Sequence, residues 1–211
     1  MSQLDSLKNY MNEKNNNSDV IYLPGLIPLP AARDHEAQLR EQLAWRCDPI
    51  TIYGKTVLQP RLTAWIADDG IDYRYSGITM TPEPWTPVME SIRREVQRAA
   101  NCEFNSVLVN LYRDGNDYMG WHRDNEPELG QQPVIASLSL GATRFFDLRH
   151  RSYRDNKLPV QRYTLNTGDL LIMRGRTQEE WQHRVPKQKK ILQSRINLSF
   201  RQTLPRHRKR S

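Results

Sequence analysis

The chain is expected to fold as a mainly β protein with flanking helices, arranged as a double-stranded β-helix (jelly roll). Three observations lead there. From Ser106 onward short strand patterns follow one another, about 106–113, 134–140, 143–149, 160–165, 169–174 and 191–202, with Gly141 and Asn166-Thr167-Gly168 marking turns. Only two helical patterns precede them. Two of the strands alternate polar and apolar residues strictly, as strands with one buried face do. Two helices followed by antiparallel-type strands suit two packed sheets with helices laid on one of them.

Each element has its own signal. Residues 1–18, with Asn15-Asn16-Asn17, are polar and expected to be flexible. Residues 20–26 read as a short strand. Residues 31–43 read as a helix carrying Leu39 and Leu43 on one face. Thr51-Ile52-Tyr53-Gly54-Lys55-Thr56-Val57 reads as two short strands around a glycine-containing turn, with Tyr53 at the tip. Residues 85–100 carry Val88, Ile92 and Val96 at helical spacing. With 211 residues the chain is long enough for one sizeable core, and a single domain over 19–203 is expected, followed by a basic tail at 204–211. No internal repeat interrupts this order.

Composition narrows the class. No stretch approaches the length of a membrane span, and the polar start Met1-Ser2-Gln3-Leu4-Asp5 lacks a secretory apolar region. Cys47 and Cys102 are too few and too far apart for a zinc motif. A reducing cytoplasm, nucleoid-associated if the source is bacterial, is the economical expectation, with a monomer and no membrane partner. The net charge of +7 is gathered in Arg149-His150-Arg151 with Arg154, in Lys187-Gln188-Lys189-Lys190, and in Arg206-His207-Arg208-Lys209-Arg210. Such clusters suit a polyanion, although any one of them also reads as a solvated surface run.

The chemistry is carried by a few residues. His122 and Asp124 stand two apart, so on an extended segment both project from one face toward one metal. Of the five histidines, His35 falls in the first helix, His150 in a run of arginines and His207 in the tail, which makes His183 the best candidate for a third ligand. Two histidines and one carboxylate are the facial set that leaves positions open on Fe(II). A His-x-Asp alone arises often by chance. It gains weight from Arg195-Ile196-Asn197-Leu198-Ser199-Phe200-Arg201, which puts Arg195, Asn197, Ser199 and Arg201 on one face, and from Val107-Leu108-Val109-Asn110-Leu111-Tyr112, which does the same for Asn110 and Tyr112. Guanidinium grips a carboxylate bidentately, so a pocket for a dicarboxylate is expected beside the metal. Asp114-Gly115 reads as a hairpin turn returning the Asn110 strand toward His122.

The run Asn110-Leu111-Tyr112, His122-Arg123-Asp124, His183 and Arg195-x-Asn197-x-x-x-Arg201 resembles the AlkB family of Fe(II)/2-oxoglutarate dioxygenases, which repair alkylated nucleic-acid bases. The resemblance runs from about residue 52 to 202. Tyr73-Arg74-Tyr75-Ser76-Gly77 and Pro84-Trp85-x-Pro87 bring it nearest to the double-strand-acting homologues. It implies the jelly-roll dioxygenase fold, Fe(II) on His122, Asp124 and His183, and 2-oxoglutarate and O2 as cosubstrates. It implies Arg195 on the distal carboxylate of 2-oxoglutarate and Arg201 near its oxo-acid end, with Asn110, Tyr112 and Asn197 completing the pocket. A nucleotide-recognition region is implied at about 50–80. There Tyr75 would stack on a flipped base and Tyr73 would lie near the backbone or base.

Further expectations follow from that resemblance. The reaction would be oxidative demethylation of N1-methyladenine and N3-methylcytosine in double- or single-stranded DNA, with RNA as a further partner, releasing succinate, CO2 and formaldehyde. Glu126, two beyond Asp124, would attract the cationic lesion if the strand continues, or it is a surface charge. Trp121 and Trp181 would wall the metal or pack the core. Ile52 and Tyr53 match the residue that fills the stack of a flipped base in duplex DNA, unless Tyr53 packs on its own sheet. Lys55 and Arg61 would hold nearby phosphates, and Lys187, Lys189 and Lys190 match a loop that grips the opposite strand. Three other readings stand beside this one: an AlkB-type enzyme acting chiefly on RNA or single strands, a small-molecule hydroxylase, and a non-catalytic binding module on the same fold.

Overall fold

In the structure, a computed structural model, residues 19–52, 54–71, 73–75 and 78–204 are described, with the backbone alone for 50–52, 73–75 and 78–80. The expected flexible start, the tip residue Tyr53 and the tail 205–211 with His207 lie outside the described residues.

Two antiparallel sheets carry the fold. The larger runs β1 (Val20–Leu23), β12 (Leu170–Met173), β9 (Ile135–Gly141), β14 (Arg195–Arg201), β7 (Ser106–Tyr112), β4 (Leu62–Ala67). The smaller runs β11 (Gln161–Leu165), β10 (Arg144–His150), β13 (Trp181–Val185), β8 (Met119–His122). Two hairpins stand apart from both, β2 (Pro49–Ile52) with β3 (Lys55–Leu58) and β5 (Tyr73–Tyr75) with β6 (Ile78–Met80). This is the jelly roll that the strand succession predicts.

The helices obey their end signals. Helix α1 (Leu29–Gln42) begins after Pro28 with Pro30 in its first turn, where proline needs no intrahelical donor. Helix α2 (Pro87–Ala100) starts two residues later than the periodicity suggests, because Thr86 caps it: its hydroxyl accepts from the Met89 amide at 3.4 Å. Trp85 therefore stays outside the helix, its ring stacked 6.4 Å from Phe200. A short third helix, α3 (Thr177–Glu180), leads into β13.

Period-two alternation separates the two larger cores of the interior, with a small third one at Trp65, Ala67, Ile71 and Leu108. Val107, Val109 and Leu111 of β7 and Ile196, Leu198 and Phe200 of β14 point to the helices, meeting Leu39, Met89, Ile92 and Val96, all fully buried. Each such side chain contributes about 1.5–3 kcal/mol by leaving water. The opposite faces meet the smaller sheet across Phe146, Leu148, Leu171, Met173, Trp181 and Val185. Helices, large sheet and small sheet thus form three layers. His122 and His183 of the smaller sheet and Asn110 and Asn197 of the larger line one pocket between the two.

One expected turn is different. Asp114-Gly115 does not close a hairpin, since β7 and β8 belong to different sheets. The Asp114 carboxylate accepts the Asn116 amide at 2.7 Å, an Asx turn that carries the chain across the sandwich.

Candidate active site

Antiparallel pairing sets the metal ligands opposite one another. His183 of β13 pairs directly with His122 of β8. Their rings lie 4.2 Å apart, and Phe146 stacks on His183 at 5.3 Å. Asp124 follows β8 in a segment held by Gln178 of α3, whose side-chain oxygen accepts the Asp124 amide at 3.0 Å. One ligand atom from each of His122, Asp124 and His183 lies within 4.8 Å of the others.

Orientation comes from the next partners out. The His122 Nδ1 lies 2.9 Å from the Gly120 carbonyl, so this nitrogen carries the proton and Nε2 keeps its lone pair for a metal. Arg201 donates through Nε (3.1 Å) and Nη2 (2.5 Å) to one oxygen of Asp124. The other oxygen is left toward His122, 3.8 Å from its Nε2. Both members of the Arg201–Asp124 pair are buried.

Electrostatics puts these groups in ligating form. Burial pushes His183 down to about 3, with His122 and Arg201 adding to the effect against the Asp124 charge. Burial also lowers His122, against the opposing pull of Asp124. Burial alone would raise Asp124, but Arg201 and then the two histidines outweigh it and hold the carboxyl well below its usual range. Two neutral imidazoles and a carboxylate are the protonation states a divalent metal requires. The donor set fits Fe(II).

Tyr112 of β7 lines the pocket that holds the triad, and Arg195 of β14, its pairing partner, lies behind it and is not itself among the lining residues. Arg195 is 1% exposed. One nitrogen donates to Ser139 at 2.8 Å, while Nε and Nη1 have no hydrogen-bond partner among the described residues. Burial lowers its pKa to about 10, which still leaves a full cation at neutral pH. An unpaired buried guanidinium is costly unless an anion joins it. Unmet donors on a buried cation fit the distal carboxylate of 2-oxoglutarate.

The structure sorts the remaining expectations. Asn110, Tyr112, Asn197 and Arg201 line the same pocket as the triad. Asn197 is held by Ser137 (2.8 Å) and the Leu138 carbonyl (3.1 Å), and Asn110 accepts from Arg61 at 2.7 Å. Arg61 is thereby moved inward from its expected place on a surface phosphate: it is 2% exposed and lines the pocket, because it directly precedes β4, whose Thr63 pairs with Asn110. Glu126 is not among the pocket-lining residues. Strand β8 stops at His122, and Glu126 instead stands at the N-terminal end of a 3-10 turn opened by Pro127, without a side-chain hydrogen bond to that turn. Trp121 faces away from the metal, between the guanidiniums of Arg149 (4.2 Å) and Arg184 (4.5 Å), and Trp181 packs in the inter-sheet core. Lys187, Lys189 and Lys190 are exposed on the loop after β13, and Lys55 is exposed on β3. Tyr73 and Tyr75 lie on β5, whose backbone alone is described.

Sequence reasoning passed over Ser137, Ser139, Ile135, Phe146 and Met173. The first two had a signal, since Ser137-Leu138-Ser139-Leu140 alternates like its neighbour β14.

Residues 19–201 match the 2OG-Fe(II) oxygenase superfamily. The alpha-ketoglutarate-dependent dioxygenase alkB homolog 3 of Bos taurus is 41% identical over 194 residues, covering 89% of this chain and 67% of the relative. The chain belongs to the AlkB family. The DNA oxidative demethylase ALKBH2 of Bos taurus is 42% identical over 160 residues, covering 74% of this chain and 58% of that protein. Among solved structures, that of OsALKBH1 superposes with a TM-score of 0.62 at 17% identity, over 90% of this chain and 99% of the other, a likeness of fold. The chain is an Fe(II)/2-oxoglutarate-dependent dioxygenase of this family, with O2 as its second cosubstrate. Among the described residues no helix is long and apolar enough to cross a membrane.

Proposed function

We propose that the enzyme oxidatively demethylates N1-methyladenine and N3-methylcytosine in DNA, duplex DNA included, turning 2-oxoglutarate into succinate and CO2 and releasing formaldehyde. The observation that carries this reading is the single pocket shared by the His122–Asp124–His183 group and the Arg201 and Asn110 side chains, in a chain similar to named DNA oxidative demethylases.

Iron with 2-oxoglutarate and O2 supplies the oxidising power that hydroxylates an N-methyl group, after which the hemiaminal on the base loses formaldehyde. The protein supplies ligation, aim and exclusion. His122, Asp124 and His183 hold the metal. Arg195 takes the distal carboxylate of the cosubstrate, and Tyr112, packed 5.5 Å from its guanidinium carbon, walls that end. Arg201 fixes Asp124 through the oxygen turned away from His122. Leu108, Ile135, Phe146, Met173 and Val185 give the pocket apolar walls that keep bulk water from the reacting centre.

For the nucleic acid, the β2–β3 hairpin, Tyr53, Tyr73 and Tyr75, and Lys187, Lys189 and Lys190 are assigned to recognition. A methyl group on the pairing edge weakens pairing, so such a base costs less to extrude than a normal one. Formaldehyde release should be measured on N1-methyladenine and N3-methylcytosine in DNA and RNA, single- and double-stranded, with and without 2-oxoglutarate. Release from methylated DNA that depends on 2-oxoglutarate and includes the duplex supports the reading. Release only from single strands or RNA replaces the substrate part, and no release from any of them removes it.

A further inference from the structure

Arg144 opens β10 and is 1% exposed. The two acids that act on it through space, Asp117 and Asp114, are engaged elsewhere: Asp117 pairs with Arg113 at 2.8 Å, and Asp114 caps the amide of Asn116. The Arg144 guanidinium instead reaches across two loops. Its Nη1 donates to the Asp114 carbonyl (3.0 Å), its Nη2 to the carbonyls of Asp117 and Pro186 (2.8 Å each), and its Nε to the Gln188 side chain (3.2 Å).

The two loops are also zipped directly. Gln188 donates its amide to the Gly115 carbonyl at 2.8 Å, and Gly115 donates to the Ile191 carbonyl at 2.7 Å. The backbones approach so closely that any side chain at residue 115 would collide with the Gln188 carbonyl. Lys187 sits in this seam with its ammonium 4.6 Å above the Tyr118 ring, and Tyr118 donates its amide to the Pro60 carbonyl next to Arg61.

A buried cation balanced by carbonyl dipoles instead of a carboxylate is expensive to keep. The Arg144 guanidinium carbon lies 5.5 Å from the Tyr112 ring, but the hydrogen bonds all go to the two loops, one of which bears the lysines. We propose that Arg144 is a positioning residue for nucleic-acid binding: it clasps loops 113–118 and 186–194 so that Lys187 meets a phosphate from a fixed seat. This rests on the assignment of Lys187 to the nucleic acid made above. A preorganised contact avoids the ordering cost that a mobile side chain incurs on binding. Lysine in place of Arg144 keeps the charge but offers three donors from one point, too few and too concentrated to hold both loops.

The test uses the full chain and fluorescence anisotropy on a DNA duplex, with and without one N1-methyladenine, over a range of KCl concentrations. Arg144→Lys should weaken binding about fivefold and reduce the log–log salt slope by about one phosphate contact. Lys187→Ala should do the same in the native background and almost nothing further in Arg144→Lys, since residues acting through one another are not additive. Gly115→Ala, which forces the seam from the other side without touching a charge, should reproduce the loss. KM for 2-oxoglutarate, read from uncoupled succinate formation, should shift far less than the DNA affinity. Full additivity of Arg144→Lys with Lys187→Ala, or a loss confined to the 2-oxoglutarate KM, overturns the clasp. Because binding to unmethylated duplex decides the matter, it can fail or stand whether or not demethylation is observed.

Discussion

The inner stripe of β7 and β14 and the β2–β3 hairpin are both made of short alternating strands, yet they are held very differently. Strand β14 is paired along both edges, with β7 and with β9. Every one of its residues is buried. Among the described residues the hairpin pairs only with itself, all of β3 is exposed, and Val57 and Leu58 present 42% and 66% of their surface to solvent. An isolated two-stranded hairpin is marginally stable in water. The contrast teaches a division of labour. Arg195 and Asn197, which face the cosubstrate end, sit on a strand held by a neighbour on each side, and the β2–β3 hairpin, in the region assigned to a large, variable polymer, pairs outside the two large sheets.

Changes in the stripe and its metal group should therefore be severe, and changes in the hairpin selective. The largest effect is expected at the metal. His122→Ala should lower demethylation by at least about a thousandfold while the far-UV circular dichroism stays native, as removal of an essential group does. Activity within tenfold of native in that variant would break the comparison at its root. Arg195→Lys keeps the charge and loses the planar fork, so the KM for 2-oxoglutarate should rise by about tenfold or more. An unchanged KM would take Arg195 out of the cosubstrate site.

Tyr53→Ala should slow repair of a methylated duplex by about three- to tenfold and leave the same lesion in a single strand nearly untouched, because an inserted side chain offsets part of the unstacking cost. Equal losses on both would make Tyr53 a packing residue and the hairpin a part of the scaffold.

Acid provides a smaller, thermodynamic contrast. In the metal-free protein His183 titrates near 3 instead of 6.5, so the unfolded chain binds this proton first as pH falls. The stability associated with neutral His183 is complete above about 6.5 and is lost by up to about 1.4 kcal/mol per unit between there and about 3. Calorimetry should show Tm falling from pH 7 to pH 5, and falling at least as steeply when iron is bound, because the metal keeps both imidazoles unprotonated in the folded state. A Tm independent of pH over that interval would contradict the burial of a neutral imidazole. The smallest effect belongs to Glu126→Gln. With the side chain outside the pocket lining, repair of N1-methyladenine and of the neutral ethenoadenine should change alike, within about twofold; a loss confined to the cationic lesion would restore Glu126 to the site.

What could be read without the structure follows the same division. The stripe was legible because period-two alternation and guanidinium chemistry occur in one heptapeptide, Arg195 to Arg201. His183 was legible because the other histidines fell in unsuitable places. Strands β8 and β13 were harder: they are short, and outward residues such as Trp121 and Arg184 look like any surface strand. Glu126 misled because its spacing from Asp124 matters only if the strand continues, and Pro127 turns the chain. Arg61 and Arg144 had no local signal at all. A buried arginine is specified by carbonyls and amides brought from distant segments, Asn110 for the one and Asp114, Asp117 and Pro186 for the other.

The most direct test of the account is product stoichiometry on one DNA strand carrying a single N1-methyladenine. The native enzyme with Fe(II), O2 and 2-oxoglutarate should release formaldehyde in step with succinate formed above the uncoupled background, with unmodified adenine appearing by mass spectrometry. Succinate formed at the same rate with or without the methylated base, and no formaldehyde, would show that the pocket oxidises something else.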